Sequence, residues 1–225
     1  MEIANDEYVK IRTLIKDREL DEKNLDLAEE LLMNLLKQNP KCSRCYGLLC
    51  EVYYWRGEES AMNKMAIYEK GVQFGNKGVE LDPSNIESNF WLAVNNGLYG
   101  LEKGIVSSFF LLEPIETHFQ KSLKIDESYF YGGPHRAIGW FYFQIPSWPI
   151  SKGDPKKGLT HIRKALEYGP DFPLNHYYAA RILLSMRNRK EANPHIEFLL
   201  ALPRNDRYKR EELRYKNDIQ NYLYK

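Results

Sequence analysis

Small and apolar positions along the chain fall at helical spacing. Gly158, Ile162 and Ala165 stand at offsets 0, 4 and 7, and Pro170 follows at offset 12. Ala28, Leu32, Leu35 and Pro40 repeat those offsets, as do Gly71, Gly75, Gly78 and Pro83. Residues so spaced share one face of a helix, and small ones let a neighbouring helix come close. The closing proline has no N–H to donate, so it stops the helix. Ahead of each such helix lies a second one rich in aromatics: CYGLLCEVYYW, ESNFWLAVNNGLYG, PHRAIGWFYF and PLNHYYAARILLSM. Nothing alternates with period two for long enough to predict a strand.

The stops recur. Pro40, Pro83, Pro170 and Pro203 each close such a helix, and Glu127 takes the equivalent place in SLKIDESY, giving steps of 43, 44, 43 and 33 residues. One helix pair is therefore repeated about five times. Ile138, Gly139 and Tyr142, like Leu49, Cys50 and Tyr53, follow the large–small–aromatic order of the first helix of a tetratricopeptide (TPR) repeat. The expected fold is all-α, a TPR-like α-solenoid of antiparallel helix pairs with at least nine helices. Repeats are placed at about 9–40, 41–83, 84–127, 128–170 and 171–203, within a single domain 1–225. The usual TPR step is about 34 residues. The excess is assigned to lengthened loops inside each pair, such as FQIPSWPISKGDP at 143–155, which should be an ordered rim loop. Residues 204–225 read as a C-terminal capping helix, packing through Leu213, Ile219, Tyr222 and Leu223.

Composition narrows the chemistry. Lys+Arg 32 against Asp+Glu 31 leaves a net charge of +1, which makes no electrostatic case for nucleic acid or an anionic membrane. No apolar run approaches the roughly 18–20 residues of a membrane-spanning helix. The start MEIANDEYVK has no basic stretch followed by an apolar one, so no signal peptide is expected within the chain. Three cysteines are too few for a disulfide framework. Cys42 and Cys45 lack the second pair or histidine that structural zinc would need, and Cys50 reads as a small buried residue. The five histidines are dispersed, none in His-Glu-x-x-His, and no serine sits in Gly-x-Ser-x-Gly. Gly71, Gly75 and Gly78 lack the Gly-Lys-Ser/Thr ending of a phosphate loop, and Gly97, Gly100 and Gly104 mark a helix end. No catalytic residue, metal or cofactor is assigned.

What remains is surface. Aromatics make up 13% of the chain, 16 of them tyrosines. One turn beyond the large–small signatures, the first helices present Tyr54, Asn96, Tyr99, Trp140, Phe143, Tyr177 and Arg181, with Arg44, Asn89 and Arg136 earlier on the same faces. Gly132-Gly133-Pro134 reads as a helix start, and Arg136 one turn in would favour an anion there. These ten residues form the candidate binding face. It suits a partly apolar, carboxylate-bearing ligand or a peptide; packing between repeats is the alternative use of the same rings.

Residues 128–184 carry a narrower likeness. Tyr131-Gly132-Gly133-Pro134-His135-Arg136, then the aromatic helix and the proline-rich loop to Gly153-Asp154, resemble the TPR-containing T-component family of TRAP-type (tripartite ATP-independent periplasmic) transporters. Leu81-Asp82-Pro83-Ser84 and Phe90-Trp91-Leu92 extend the similarity over most of the chain. The resemblance implies a non-enzymatic, extracytoplasmic scaffold that acts beside a solute-binding subunit and accommodates a small apolar ligand. The rival expectation is a cytoplasmic adaptor clamping a peptide; an enzyme with a site assembled from dispersed groups is a third.

Overall fold

The computed structural model describes residues 3–104, 109–203, 205, 206 and 208–223. Among these, eleven helices form, ten of them in pairs: α1 (Asn5–Lys16) with α2 (Asn24–Gln38), α3 (Ser43–Glu59) with α4 (Lys64–Leu81), α5 (Ile86–Lys103) with α6 (Leu112–Ile125), α7 (Tyr129–Gln144) with α8 (Pro155–Tyr168), and α9 (Pro173–Ser185) with α10 (Arg189–Ala201). The last helix, α11 (Lys209–Leu223), stands alone as the cap. Among the described residues no strand forms. Each second helix ends two residues before its predicted stop: Gln38 before Pro40, Leu81 before Pro83, Ile125 before Glu127, Tyr168 before Pro170 and Ala201 before Pro203. The helices fall into two compact units, Met1–Asp126 and Glu127–Lys225.

In the first unit α3, α4 and α5 pack on one another around Leu48, Leu49, Val52, Trp91 and Leu92. Small residues make this possible. A Cβ on Gly75 of α4 would lie 2.8 Å from Leu92 Cβ and 2.9 Å from Cys50 Sγ, and one on Gly78 would lie 2.1 Å from Ser88 Oγ. Two polar ties accompany the close packing. Asn95 Nδ2 donates to the carbonyls of Cys50 (3.0 Å) and Trp91 (2.9 Å), and Ser43 Oγ donates to Gly78 O at 2.9 Å.

The second unit repeats the device backbone against backbone. A Cβ on Gly139 of α7 would meet Gly158 O of α8 at 2.7 Å, and one on Gly158 would meet Gly139 O at the same distance. The two backbones touch there. Beyond them Ile162, Ala179, Ile182, Leu183, Ala192, Ile196 and Leu199 form a continuous core, closed by Tyr215 and Ile219 of α11.

Several expectations need correction. The extra residues of the second repeat lengthen helices instead of a loop: α3 and α4 have 17 and 18 residues, joined only by residues 60–63. No Gly/Pro cluster interrupts that stretch, so the helices propagate. In the fourth repeat the excess does form an ordered loop, where Gly153 N donates to Pro146 O (2.9 Å) and Asp154 N to Tyr142 O (2.9 Å). Helix α5 runs through Gly97 and Gly100 and ends at Gly104, whose φ of 99° only glycine adopts readily. The cap buries Glu212, Tyr215 and Ile219, whereas Leu213 and Tyr222 are exposed; the side chain of Leu223 lies outside the described residues. Cys42 and Cys45 are joined as a disulfide, made reachable by their place in the first turn of α3, where Cys45 N also donates to Cys42 Sγ. Cys50 is buried, as its position between large residues implied.

Two glycines of the first unit separate close packing from helix propensity. A Cβ on Gly97 meets nothing within 4 Å. Gly97→Ala should raise stability by about 0.5–1 kcal/mol, the usual helix gain, whereas Gly75→Ala should lower it by about 1–3 kcal/mol through overpacking. Urea denaturation of the two variants gives the answer, and equal shifts would remove the close-contact account.

Candidate functional site

The ten predicted residues divide equally between the units. In the first unit most are already engaged. Asn89 is buried, its Nδ2 donating to Pro83 O (3.0 Å) and Asn85 O (2.9 Å), while His118 Nδ1 lies 2.9 Å from its Oδ1. Asn96 is buried in α5. Arg44 Nε lies 3.7 Å from Glu87, and its guanidinium stands over the ring of Tyr8. Tyr54 packs edge-on against Trp55 and lies tilted against Trp91 at 4.9 Å. Tyr99 donates to Glu69 at 3.1 Å and stays partly exposed.

Helix α1 supplies partners that sequence reasoning missed. Tyr8 donates to Glu87 (3.2 Å), Arg12 pairs with the buried Glu51, and the Arg18 guanidinium covers Trp55 at 3.4 Å. Trp55 Nε1 donates to the same Glu51 at 3.3 Å. The charges of this face are thus satisfied within the unit. The signal was present in the i, i+4 spacing of Tyr8 and Arg12, but the acids they meet lie 79 and 39 residues away.

In the second unit Arg136 has a different task from the one expected. Phe130, Tyr131 and Gly132 take left-handed φ values of 50°, 59° and 72°, so the right-handed helix begins only after them, near Pro134. Left-handed backbone costs about 1–2 kcal/mol for a residue with a Cβ. Arg136, only 4% exposed, spans that turn. Its guanidinium donates to Phe130 O (3.2 Å), Tyr131 O (3.2 Å) and Asn175 Oδ1 (3.0 Å), and lies 4.7 Å over the Phe172 ring. Asn175 Nδ2 adds bonds to Tyr131 O, Ala165 O and Gly169 O. The helix start is held by these groups, and the anion-binding reading of Arg136 gives way to a structural one.

The other four residues of this unit do come together. Trp140 stacks face to face on Tyr178, centroids 4.0 Å apart and 8° from parallel. Phe143 lies 5.1 Å from Trp140, and Tyr177 lies 6.4 Å away. Arg181 stands 5.8 Å over Trp140 and 5.6 Å over Tyr177. Its Nη1 pairs with Asp218 of α11, and Tyr177 donates to the same carboxylate. Burial above all, then Asp218, pushes the Tyr177 hydroxyl up, so it keeps its proton as a donor. The rings are half-buried and form one ridge along α7 and α9. Tyr178 and Asp218 were not predicted; Tyr178 neighbours a predicted residue, and Asp218 comes from the cap.

The dispersed histidines also prove to be organised. His161 Nδ1 and His135 Nδ1 are 3.0 Å apart, and so are His195 Nδ1 and His176 Nδ1. A carbonyl only accepts, so His176 donates from Nε2 to Pro170 O (2.6 Å) and takes a proton at Nδ1 from His195. His135 Nε2 likewise faces Glu127 Oε2 at 3.0 Å. Successive repeats thus use one module, anchored at the aligned positions 127 and 170. Burial first, then the partner ring, depresses His161 and His195 to about 4. Among the described residues no group of three or more His, Cys, Asp or Glu is arranged to hold a metal ion.

Paired helices with small contact residues, a capping helix and an aromatic ridge define a TPR-type helical-repeat protein. Solved structures agree. A thermophilic TPR protein of Thermus thermophilus superposes with a TM-score of 0.71 at 17% identity, covering 97% of this chain and 100% of that one. PilW, a type IV pilus biogenesis factor, gives 0.62 at 14% identity over 98% of this chain and 93% of its own. YrrB, a TPR protein with an unusual peptide-binding site, gives 0.51 at 13% identity, covering 90% and 83%. These likenesses concern the fold. No curated protein sequence matches the chain. Residues 8–225 match the model of the family described as regulator of microtubule dynamics protein 1-3, and the chain belongs to that family.

Two measurements test this geometry. Arg136→Ala should lower stability by about 2–4 kcal/mol, because it strands buried carbonyls at a left-handed turn; Arg136→Lys should recover only part, lacking the fork. A pure binding role would leave the denaturation midpoint unmoved. The histidines set a pH dependence. His161 and His195 have folded-state values below the unfolded 6.5, so the unfolded chain takes up protons first as pH falls. Their contribution is present above about 6.5 and is lost as pH falls through about 4. The melting temperature should decline across that window, and His161→Gln with His195→Gln should flatten the decline.

Proposed function

We propose that this protein is a non-enzymatic interaction scaffold that receives a peptide segment of a protein partner on the aromatic ridge of its second unit. The observation that carries this reading is the Trp140–Tyr178 stack, flanked by Phe143, Tyr177 and Arg181 and left half-exposed beside a closed core. Flat, rigid aromatics offer large contact area at small entropic cost, which is why they anchor interfaces. Arg181 is neutralised by Asp218, so the ridge favours an apolar or aromatic anchor over a free anion. The carboxylate-bearing ligand of the sequence reading thereby gives place to a peptide. The TPR fold supports an interaction role in general, and YrrB supplies an instance of a TPR protein with a peptide-binding site.

The narrower reading from residues 128–184 names the partner as a solute-binding subunit of a TRAP-type transporter, with an extracytoplasmic location and a small apolar ligand. It rests on the resemblance of that motif. Titrating such a subunit, and separately a peptide selected by display on the chain, distinguishes the two. Trp140→Ala and Tyr178→Ala should each weaken peptide binding by about 1–3 kcal/mol while the protein stays folded. If Trp140→Ala instead costs about 3–5 kcal/mol of stability and leaves affinity per folded molecule unchanged, the ridge is packing and the proposal fails.

A further inference from the structure

The loop between α7 and α8 presents apolar side chains that nothing in its unit covers. Trp148 is 86% exposed and Ile150 69%, with exposed Pro146 and Pro149 beside them. The loop is nevertheless ordered. Gly153 N donates to Pro146 O, Asp154 N to Tyr142 O, and Ile150 N to Ser147 O at 3.1 Å. A Cβ on Gly153 would lie 2.0 Å from Ile145 O, so the two sides of the loop are pressed together. An apolar tip held out by a hydrogen-bonded stem is set for contact before any partner arrives.

The charge around the tip decides what the partner is. Between residues 145 and 157 the only acid is Asp154, against Lys152, Lys156 and Lys157, all exposed, although the Lys157 ammonium also lies 3.7 Å over the Tyr142 ring. Asp154 caps α8, accepting from Lys156 N (2.9 Å) and Lys157 N (3.1 Å), so its charge is turned to the helix end. The near-neutral total of the chain averages over this local excess of cations. Tryptophan prefers the headgroup level of a bilayer, and lysines next to an inserted apolar tip meet anionic headgroups.

We propose that segment 145–157, the loop and the first turn of α8, docks on an anionic lipid surface, with Trp148 and Ile150 entering the headgroup layer and the three lysines contacting lipid phosphates. A cofactor or catalytic step is not involved, and the proposal is independent of the Trp140 ridge. Vesicle sedimentation of the full chain tests it, using phosphatidylcholine alone and phosphatidylcholine mixed with an equal amount of phosphatidylglycerol. The wild type should pellet with the mixed vesicles and far less with phosphatidylcholine. Trp148→Ala should weaken that partition about tenfold with an unchanged melting temperature, since so exposed a side chain adds little to the core. Changing Lys152, Lys156 and Lys157 together to Gln should abolish the preference for phosphatidylglycerol and the sensitivity to salt. The proposal is overturned if the wild type stays in the supernatant, or if Trp148→Ala binds as well as wild type. It is equally overturned if the tip serves a second copy of the chain, seen as self-association that Trp148→Ala removes while lipid binding persists.

Discussion

Everything in this protein follows from how closely its helices approach one another. At Gly139 and Gly158 the backbones of α7 and α8 come into contact, and at Gly75 the backbone of α4 reaches the side chains of α3 and α5. Such distances leave no room for side chains at the seam, so large residues are displaced to its edges. Trp91 and Tyr68 become core, while Trp140 and Tyr178 become a ridge. Glycine weakens a helix in isolation by about 0.5–1 kcal/mol relative to alanine, and dense interlocking offsets that loss.

Close packing also draws buried amide and guanidinium groups onto backbone carbonyls. Asn95 bridges α5 to α3, and Asn175 with Arg136 closes the turn into α7. Arg136 and Asn175 substitute for water where helix ends are buried and their carbonyls would be left orphaned, whereas Asn95 ties carbonyls inside α3 and α5. The His135–His161 and His176–His195 pairs add a side-chain contact of the same kind, each joining a first helix to its second through ring nitrogens 3.0 Å apart. The groups the packing did not consume are the half-exposed ridge on α7 and α9 and the loop tip at Trp148, and the two proposed contacts fall there.

The two faces differ for a physical reason. In the first unit α1 supplies Tyr8, Arg12 and Arg18 to acids and rings that would otherwise face a ligand. In the second unit the capping helix contributes Asp218 to Arg181 but leaves the Trp140–Tyr178 stack half-open. A partner segment meeting the second unit would bury aromatic surface without first breaking an ion pair. That asymmetry directs the functional reading to Glu127–Lys225.

Periodicity alone determined the helix pairs, their stops and their small contact positions, because a repeated local rule leaves a repeated local signature. Pro40, Pro83, Pro170 and Pro203 end helices wherever they occur, since a proline lacks the N–H that the next turn needs. The fate of single side chains was decided only by tertiary structure. Arg136 looked like an anion ligand until the left-handed turn at Phe130–Gly132 turned its donors inward. Four histidines looked dispersed until helix packing brought residues 26 and 19 apart in sequence into pairs. The cap's packing face kept the expected Ile219 but took Glu212 and Tyr215 in place of Leu213 and Tyr222, a small rotation about one helix axis. Hydrophobic pattern specifies which elements form; which groups stay free depends on distances between residues far apart in the chain, and no local pattern encodes those.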